Sequence, residues 1–248
     1  MVRLDKFLAD ASVGTRSEVK KYLKSKRISV NGLLSVRPEL KIDPDTDRVC
    51  MDGKPVNYTR FLYYLFHKPA GCVTARTDAL DRTVLDYFPE ELRGRLSPVG
   101  RLDKDTEGFL LLTNDGVLNH RLTSPSYHLK KTYFAELDQP VPADAVWTFA
   151  QGVDIGDDRP TLPAELCILP SMEKDGGPVY SAELTITEGR YHQVKRMFQA
   201  IGLRVTYLKR ISMGSLTLGQ LPKGEYRLLT ENEMERLKQE CETRGLLP

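Results

Sequence analysis

The chain reads as an α+β protein, a mainly antiparallel mixed sheet with few helices, preceded by a small α/β-type module. Three observations predict it. From residue 61 to about 229, strand-like apolar runs alternate with turn signals. Inside that stretch one segment keeps a clear helical period, with Val194, Met197, Phe198 and Ile201 at i, i+3, i+4, i+7. The first sixty residues differ from the rest in charge, with 13 Lys/Arg against 8 Asp/Glu, where the remainder holds 23 against 26.

The first segment predicts two short helices. Leu4, Phe7 and Leu8 share one apolar face, Gly14 breaks the chain, and Thr15 and Glu18 have capping-box spacing. Val19, Tyr22 and Leu23 form the next stripe and leave Arg16, Lys20, Lys21 and Lys24 on other faces. Ile28-Ser-Val30 is a strand with the tight-turn pair Asn31-Gly32 after it, and residues 48–51 form another before Asp52-Gly53. The reading is a module over residues 1–56, a linker over 57–61 and a larger domain over 62–248.

In the larger domain, residues 61–66 are an apolar run stopped by His67-Lys-Pro-Ala-Gly71. Further strands are expected at 109–112 before Thr113-Asn-Asp-Gly116, at 133–137 before Pro140, and at 182–186 before Glu188-Gly189. Gly176-Gly177-Pro178 reads as a loop. A last helix starts at Thr230, where Glu233 completes a second capping box, with Met234, Leu237 and Cys241 on its apolar face.

Composition excludes several classes. With 248 residues, 40% hydrophobic and 28% charged, the chain is neither disordered nor collagen-like. No apolar run approaches the roughly 18 residues of a membrane helix. Asp5, Lys6 and Asp10 stand where a signal peptide needs an apolar core, so a cytoplasmic protein is expected. Cys50, Cys72, Cys167 and Cys241 are too scattered for zinc or redox motifs and read as reduced thiols, mostly buried. The four histidines are equally dispersed, so no metal is expected. There is no P-loop, no dinucleotide fingerprint and no nucleophile elbow.

Two segments concentrate polar groups. In the first, Asp103 precedes the apolar run Phe109-Leu-Leu-Leu112, so a loop anchored by a core strand carries it. Arg101 and Lys104 flank it, and nearby cations favour an ionised carboxylate. The second, Glu188-Gly-Arg-Tyr-His-Gln-Val-Lys195, opens the amphipathic helix, and residues 186–210 hold six Lys/Arg against Glu188 alone. Taken separately, a turn cap and a solvated basic face would explain them.

Taken together they do more. Arg3-Leu-Asp-Lys-Phe-Leu8, Thr15-Arg16 and Arg27-Ile-Ser-Val-Asn-Gly32 resemble the alpha-L RNA-binding domain. Gly100-Arg-Leu-Asp103 with Thr106, Gly108 and Leu110-Leu-Leu-Thr-Asn-Asp-Gly116 resembles the catalytic motif of the RsuA-like RNA pseudouridine synthases. Lys131-Thr-Tyr133 and Gly189-Arg-Tyr-His-Gln-Val-Lys-Arg-Met197 are similar to two further motifs of that family, and residues 67–71 and 224–229 to its flanking segments. His67 and Phe109 depart from the common pattern, where many members carry Asn and Leu.

The resemblance implies a uridine-to-pseudouridine isomerase with no cofactor and no metal. It implies Asp103 as nucleophile or base, Lys195 as its ion-pair partner and Tyr133 packed against the uracil. Arg101 is expected to fill the space left by the extruded base or to hold the phosphate. Arg3, Lys6, Arg16, Lys20, Lys21 and Lys24 of the module, with Arg190, His192 and Arg196, are expected to contact RNA. The wording Tyr191-His-Gln-Val-Lys-Arg-Met197 and Thr123-Ser-Pro125 points to members that act on the small subunit, with uridine 516 of 16S rRNA as target. The partner is then ribosomal RNA, naked or in an assembling small-subunit particle, met by a monomer away from any membrane. A 23S synthase of the same family is the nearest alternative. A non-catalytic ribosome-assembly factor should have lost Asp103, Tyr133 or Lys195, and all three are present.

Overall fold

In the computed structural model the chain divides into two compact units, Met1–Leu62 and Tyr63–Pro248. The structure describes residues 1–243 apart from 12, 35, 57, 59, 60, 125–128, 175 and 176, and only the backbone of 174, 242 and 243.

The first unit runs β1 (Val2–Arg3), α1 (Leu4–Asp10), α2 (Arg16–Lys24), β2 (Ile28–Val30), β3 (Lys41–Ile42), β4 (Val49–Met51) and β5 (Lys54–Pro55). The expected apolar faces meet: Leu4, Phe7 and Leu8 of α1 pack with Val19 and Leu23 of α2 against Ile28 and Val49. Thr15 caps α2 through the Glu18 amide, and the Glu18 carboxylate accepts from the Thr15 amide at 2.8 Å. Asn31 and Gly32 both have positive φ, 51° and 85°, as a two-residue type I′ turn requires. Val30 and Leu33 exchange backbone bonds across it at 2.9 and 3.0 Å. Beyond that single bridge, β2 pairs with β4, which pairs with β5. Tyr58, read from sequence as linker, stacks on Phe7 with ring centroids 4.4 Å apart, so the packed unit extends beyond residue 56. Positions 57, 59 and 60 of that linker lie outside the described residues.

The second unit continues with β6 (Tyr63–Lys68), a 3-10 turn (Val84–Tyr87), α3 (Glu90–Arg93), β7 (Ser97–Pro98), β8 (Glu107–Thr113) and α4 (Gly116–Thr123). Next come β9 (Lys131–Leu137), α5 (Ala145–Gln151), β10 (Glu165–Ile168), β11 (Met172–Lys174), β12 (Gly177–Ile186) and α6 (Gln193–Ala200). The last elements are β13 (Val205–Met213), β14 (Leu216–Thr217), β15 (Tyr226–Leu228) and α7 (Glu231–Thr243). One sheet runs in the order β10-β12-β9-β13-β8-β6-β15, with β11, β14 and β7 paired to its members. Every described neighbour pair is antiparallel except β13 with β8.

That parallel pair joins the two chemistry-bearing segments, because β8 follows the Asp103 loop and β13 follows α6. The strands come very close. A Cβ on Gly108, whose φ is +105°, would lie 2.1 Å from the Arg210 carbonyl oxygen. Only glycine fits there.

Helices are more numerous than the sequence suggested. The turn signal Thr113-Asn-Asp-Gly116 leads into α4, a helix the sequence did not predict, and Asp115 caps it by accepting from the amides of Val117 and Leu118 at 3.1 and 3.0 Å. α4 and α5 each bury only two side chains, Leu118 with Leu122 and Ala145 with Phe149, too few for a periodic signal. β6 runs through His67 and Lys68 rather than stopping before them. Gly177 and Pro178 are strand rather than loop residues, pairing with Lys174 and Glu173 of β11, and Gly176 lies outside the described residues. The Thr230–Glu233 box forms as expected and is reinforced by Arg227, whose two guanidinium nitrogens each meet Glu233 at 2.7 Å.

Gly108→Ala should destabilise the second unit by more than about 2 kcal/mol, from strain at positive φ plus the clash with β13. Urea unfolding checks this; an unchanged midpoint would show that the two strands can separate freely.

Candidate active site

The Asp103 loop is fastened from below. Thr74 Oγ1 donates to the Leu102 carbonyl at 2.8 Å and accepts from its amide at 3.1 Å. Lys68 is fully buried, and its ammonium lies 2.9 Å from the carbonyl oxygens of Asp103 and Thr106, 3.1 Å from Pro69 and 3.3 Å from Lys104. Burial holds its pKa below the usual lysine range, against the opposing pull of Cys72 and the nearby carboxylates. The Gly71 amide donates to Lys104 O at 2.7 Å and the Thr106 amide to Asp103 O at 3.1 Å.

This leaves the Asp103 carboxylate facing α6. Lys195 Nζ stands 3.3 Å from its Oδ2, and His192 Nε2 stands 3.5 Å from its Oδ1. The expected partner across about ninety residues is therefore in place. The flanking cations are not its partners. Lys104 turns away to Asp81 at 2.6 Å, and Arg101 is exposed on the cavity wall with no ion pair among the described residues. Sequence reasoning missed Asp105, which accepts from Lys195 Nζ at 2.6 Å. Burial, the largest single effect, raises the Asp105 carboxyl, but the bond and charge of Lys195, with a backbone bond and His192, together outweigh it and the pKa falls below the ordinary value. Lys195 thus bridges two carboxylates spaced i, i+2, and that spacing was the available signal.

His192 caps α6 in the left-handed conformation, φ 48°, and this turns its ring toward Asp103. The turn is braced from behind. Glu188 is buried and accepts from the Leu162 amide, Gln193 Nε2 and Arg190 Nε at 3.0, 3.0 and 3.1 Å. Arg190 also donates to the carbonyls of Arg159 and Pro160 at 2.7 and 2.8 Å, and Arg196 donates to Ile155 O and Asp157. Both guanidinium groups, expected on RNA, point their donors into the protein. They lock the loop that carries His192.

Tyr133 lies on β9, opposite Arg210 of β13 and Leu184 of β12, and is 8% exposed. It lines a cavity of about 620 Å³ together with Asp103, Lys195 and His192. An ionised carboxylate held by a lysine, beside a buried aromatic ring, can attack or deprotonate a flat, electron-poor ring held against the tyrosine. In the first unit, Lys6, Arg16, Lys20, Lys21 and Lys24 are exposed, with no ion pair among the described residues. Arg3 is instead held by Asp5 at 2.8 Å. Pro125, part of the small-subunit wording, lies outside the described residues.

Comparison with known proteins agrees with this geometry. The family described as RNA pseudouridylate synthase matches residues 62–200. An uncharacterized RNA pseudouridine synthase of Bacillus subtilis, YtzG, is 45% identical over 96% of this chain and 99% of its own. Ribosomal small subunit pseudouridine synthase A of Escherichia coli K12 is 39% identical over 94% of this chain and 98% of its own. A pseudouridylate synthase of known crystal structure superposes with a TM-score of 0.64 at 38% identity, over 96% of this chain and all of the other. With its cavity built around Asp103, Tyr133 and Lys195, the chain belongs to the RsuA-like family of RNA pseudouridine synthases.

Proposed function

We propose that this enzyme isomerises uridine 516 of 16S rRNA, with Asp103 as the essential carboxylate. The observation that carries the role of Asp103 is its placement. It is the cavity carboxylate that meets both Lys195 and His192, at 3.3 and 3.5 Å, and it sits on a loop clamped by Lys68 and Thr74. The small-subunit target is supported by the relatives named ribosomal small subunit pseudouridine synthase A, from Escherichia coli and Haemophilus influenzae among others.

The target uridine leaves its stack, at a cost of a few kcal/mol offset by phosphate contacts, and enters the cavity against Tyr133. The Lys195 ammonium pairs with the Asp103 carboxylate, the form that a nucleophile or base uses. The N1–C1′ bond breaks, the uracil turns, C5 bonds to C1′, the C5 proton leaves and N1 takes one up. Arg101 stands at the wall where the extruded strand enters. The module of the first sixty-two residues is the RNA-binding part, with its exposed Lys6, Arg16, Lys20, Lys21 and Lys24 on phosphates. Arg190 and Arg196 position the loop instead. The enzyme acts as a monomer in the cytoplasm on ribosomal RNA, free or in an assembling small-subunit particle.

Asp103→Asn should abolish conversion of a 16S transcript, with RNA affinity within about three-fold of wild type, since Asp103 makes transition-state rather than ground-state contacts. Turnover by this variant would remove Asp103 from its role. Replacing Lys20, Lys21 and Lys24 by alanine should flatten the slope of log affinity against log salt by about 2. Filter binding across a salt series reads this directly, and an unchanged slope would take the module face off the RNA.

A further inference from the structure

Two cations of the cavity wall, Lys131 and Arg210, sit on its strands outside the Asp103 cluster. Lys131 precedes Tyr133 by two residues on β9, so both side chains leave the same face of the strand, and both line the cavity. Lys131 Nζ donates to the Leu129 carbonyl at 3.0 Å and has no ion pair among the described residues. Arg210, on the adjoining β13, is 2% exposed. Its Nε donates to Phe109 O at 2.8 Å, while its buried Nη2 has no hydrogen-bond partner among the described residues. The carboxylate that acts on Lys131 is Glu188, and its oxygens are already bonded to Leu162, Gln193 and Arg190. Two desolvated, incompletely partnered cations are costly in a fold. Inside a substrate cavity they form a preorganised field for negative charge that arises during reaction.

We propose that Lys131, backed by Arg210, donates to a carbonyl oxygen of the uracil ring and stabilises the negative charge that the ring takes up during isomerisation. The proposal rests on the reading that uridine enters this cavity. When N1–C1′ breaks with the bonding pair left on nitrogen, the free uracil carries one negative charge, spread over N1 and the ring oxygens O2 and O4. Closure of the C5–C1′ bond, loss of the C5 proton and protonation of N1 discharge it. Lys131 acts as a catalytic residue that touches the ring. Arg210 is too enclosed to reach a backbone phosphate and is a positioning residue that acts through its field. The surroundings of Lys131 agree. Burial, and after it Arg210, lowers its pKa to about 8, with Glu188 only partly opposing. Besides these, the charged and titratable groups lining the same cavity are Arg101, Asp103, Lys104, Arg190, Tyr191, His192, Lys195 and, on its own strand, Tyr133. The ammonium is therefore lost as pH rises through about 8, and its contribution with it.

The test is single-turnover conversion of full-length 16S and 23S transcripts by the whole enzyme, with Lys131→Met and Lys131→Arg, over a pH series. Removing one charged donor to a developing anion should slow Lys131→Met by about 100-fold or more, with RNA affinity changed less than about two-fold. Lys131→Arg keeps the charge well above pH 10, so it should retain most of the rate and lose the alkaline decline. A wild-type rate in Lys131→Met, or a loss in affinity as large as the loss in rate, overturns the inference. If Lys131→Met does not fold, the arginine variant decides: the same decline near pH 8 as wild type overturns it. A wild-type enzyme that converts neither transcript would instead sink the ribosomal reading on which the inference stands.

Discussion

A buried ammonium holds the site together. Lys68 is shut off from solvent and, among the described residues, has no carboxylate on its nitrogen; it has the carbonyls of Pro69, Asp103, Lys104 and Thr106. A desolvated cation must satisfy its donors inside the protein, so those carbonyls must converge on it. Three of them belong to the loop that carries Asp103. The position of the Asp103 loop is thereby tied to β6. Gly108 completes the arrangement, because its missing Cβ lets β13 lie against β8 and brings Lys195 and His192 over the same loop.

The charges of the second unit then separate into two kinds. Arg190, Arg196 and Glu188 are bonded inward and brace the turn into α6. Lys195, His192, Arg101 and Lys131 face the cavity. A bonded layer behind the cavity-facing groups holds them in place without using their own donors. Charge is also divided along the chain, with exposed lysines concentrated on α2 of the first unit and the Asp103 carboxylate in the second.

Much of this was legible in the sequence. The period of Val194, Met197, Phe198 and Ile201 marked α6, the capping boxes at Thr15 and Thr230 marked two helix starts, and the apolar run after Asp103 marked β8. The pairing of Asp103 with Lys195 came only from the family resemblance, since no local rule links residues so far apart. What failed has physical reasons. Composition shows that a segment is basic but not where its donors point, so Arg190 and Arg196 were read outward. Lys104 is adjacent to Asp103 in sequence yet pairs with Asp81, because the loop turns its side chain away. α4 and α5 bury too little to show a period. Asp105 was passed over because a second carboxylate beside a first looks like surface charge until one lysine is seen bridging both.

The most direct test of the account is a pseudouridine map of 16S and 23S rRNA, by carbodiimide adducts and primer extension, from cells with and without this gene. The account predicts the loss of a single mark, at uridine 516 of 16S rRNA, restored by the wild-type gene and not by Asp103→Asn. A lost mark in 23S rRNA instead would contradict the target, and restoration by Asp103→Asn would contradict the chemistry.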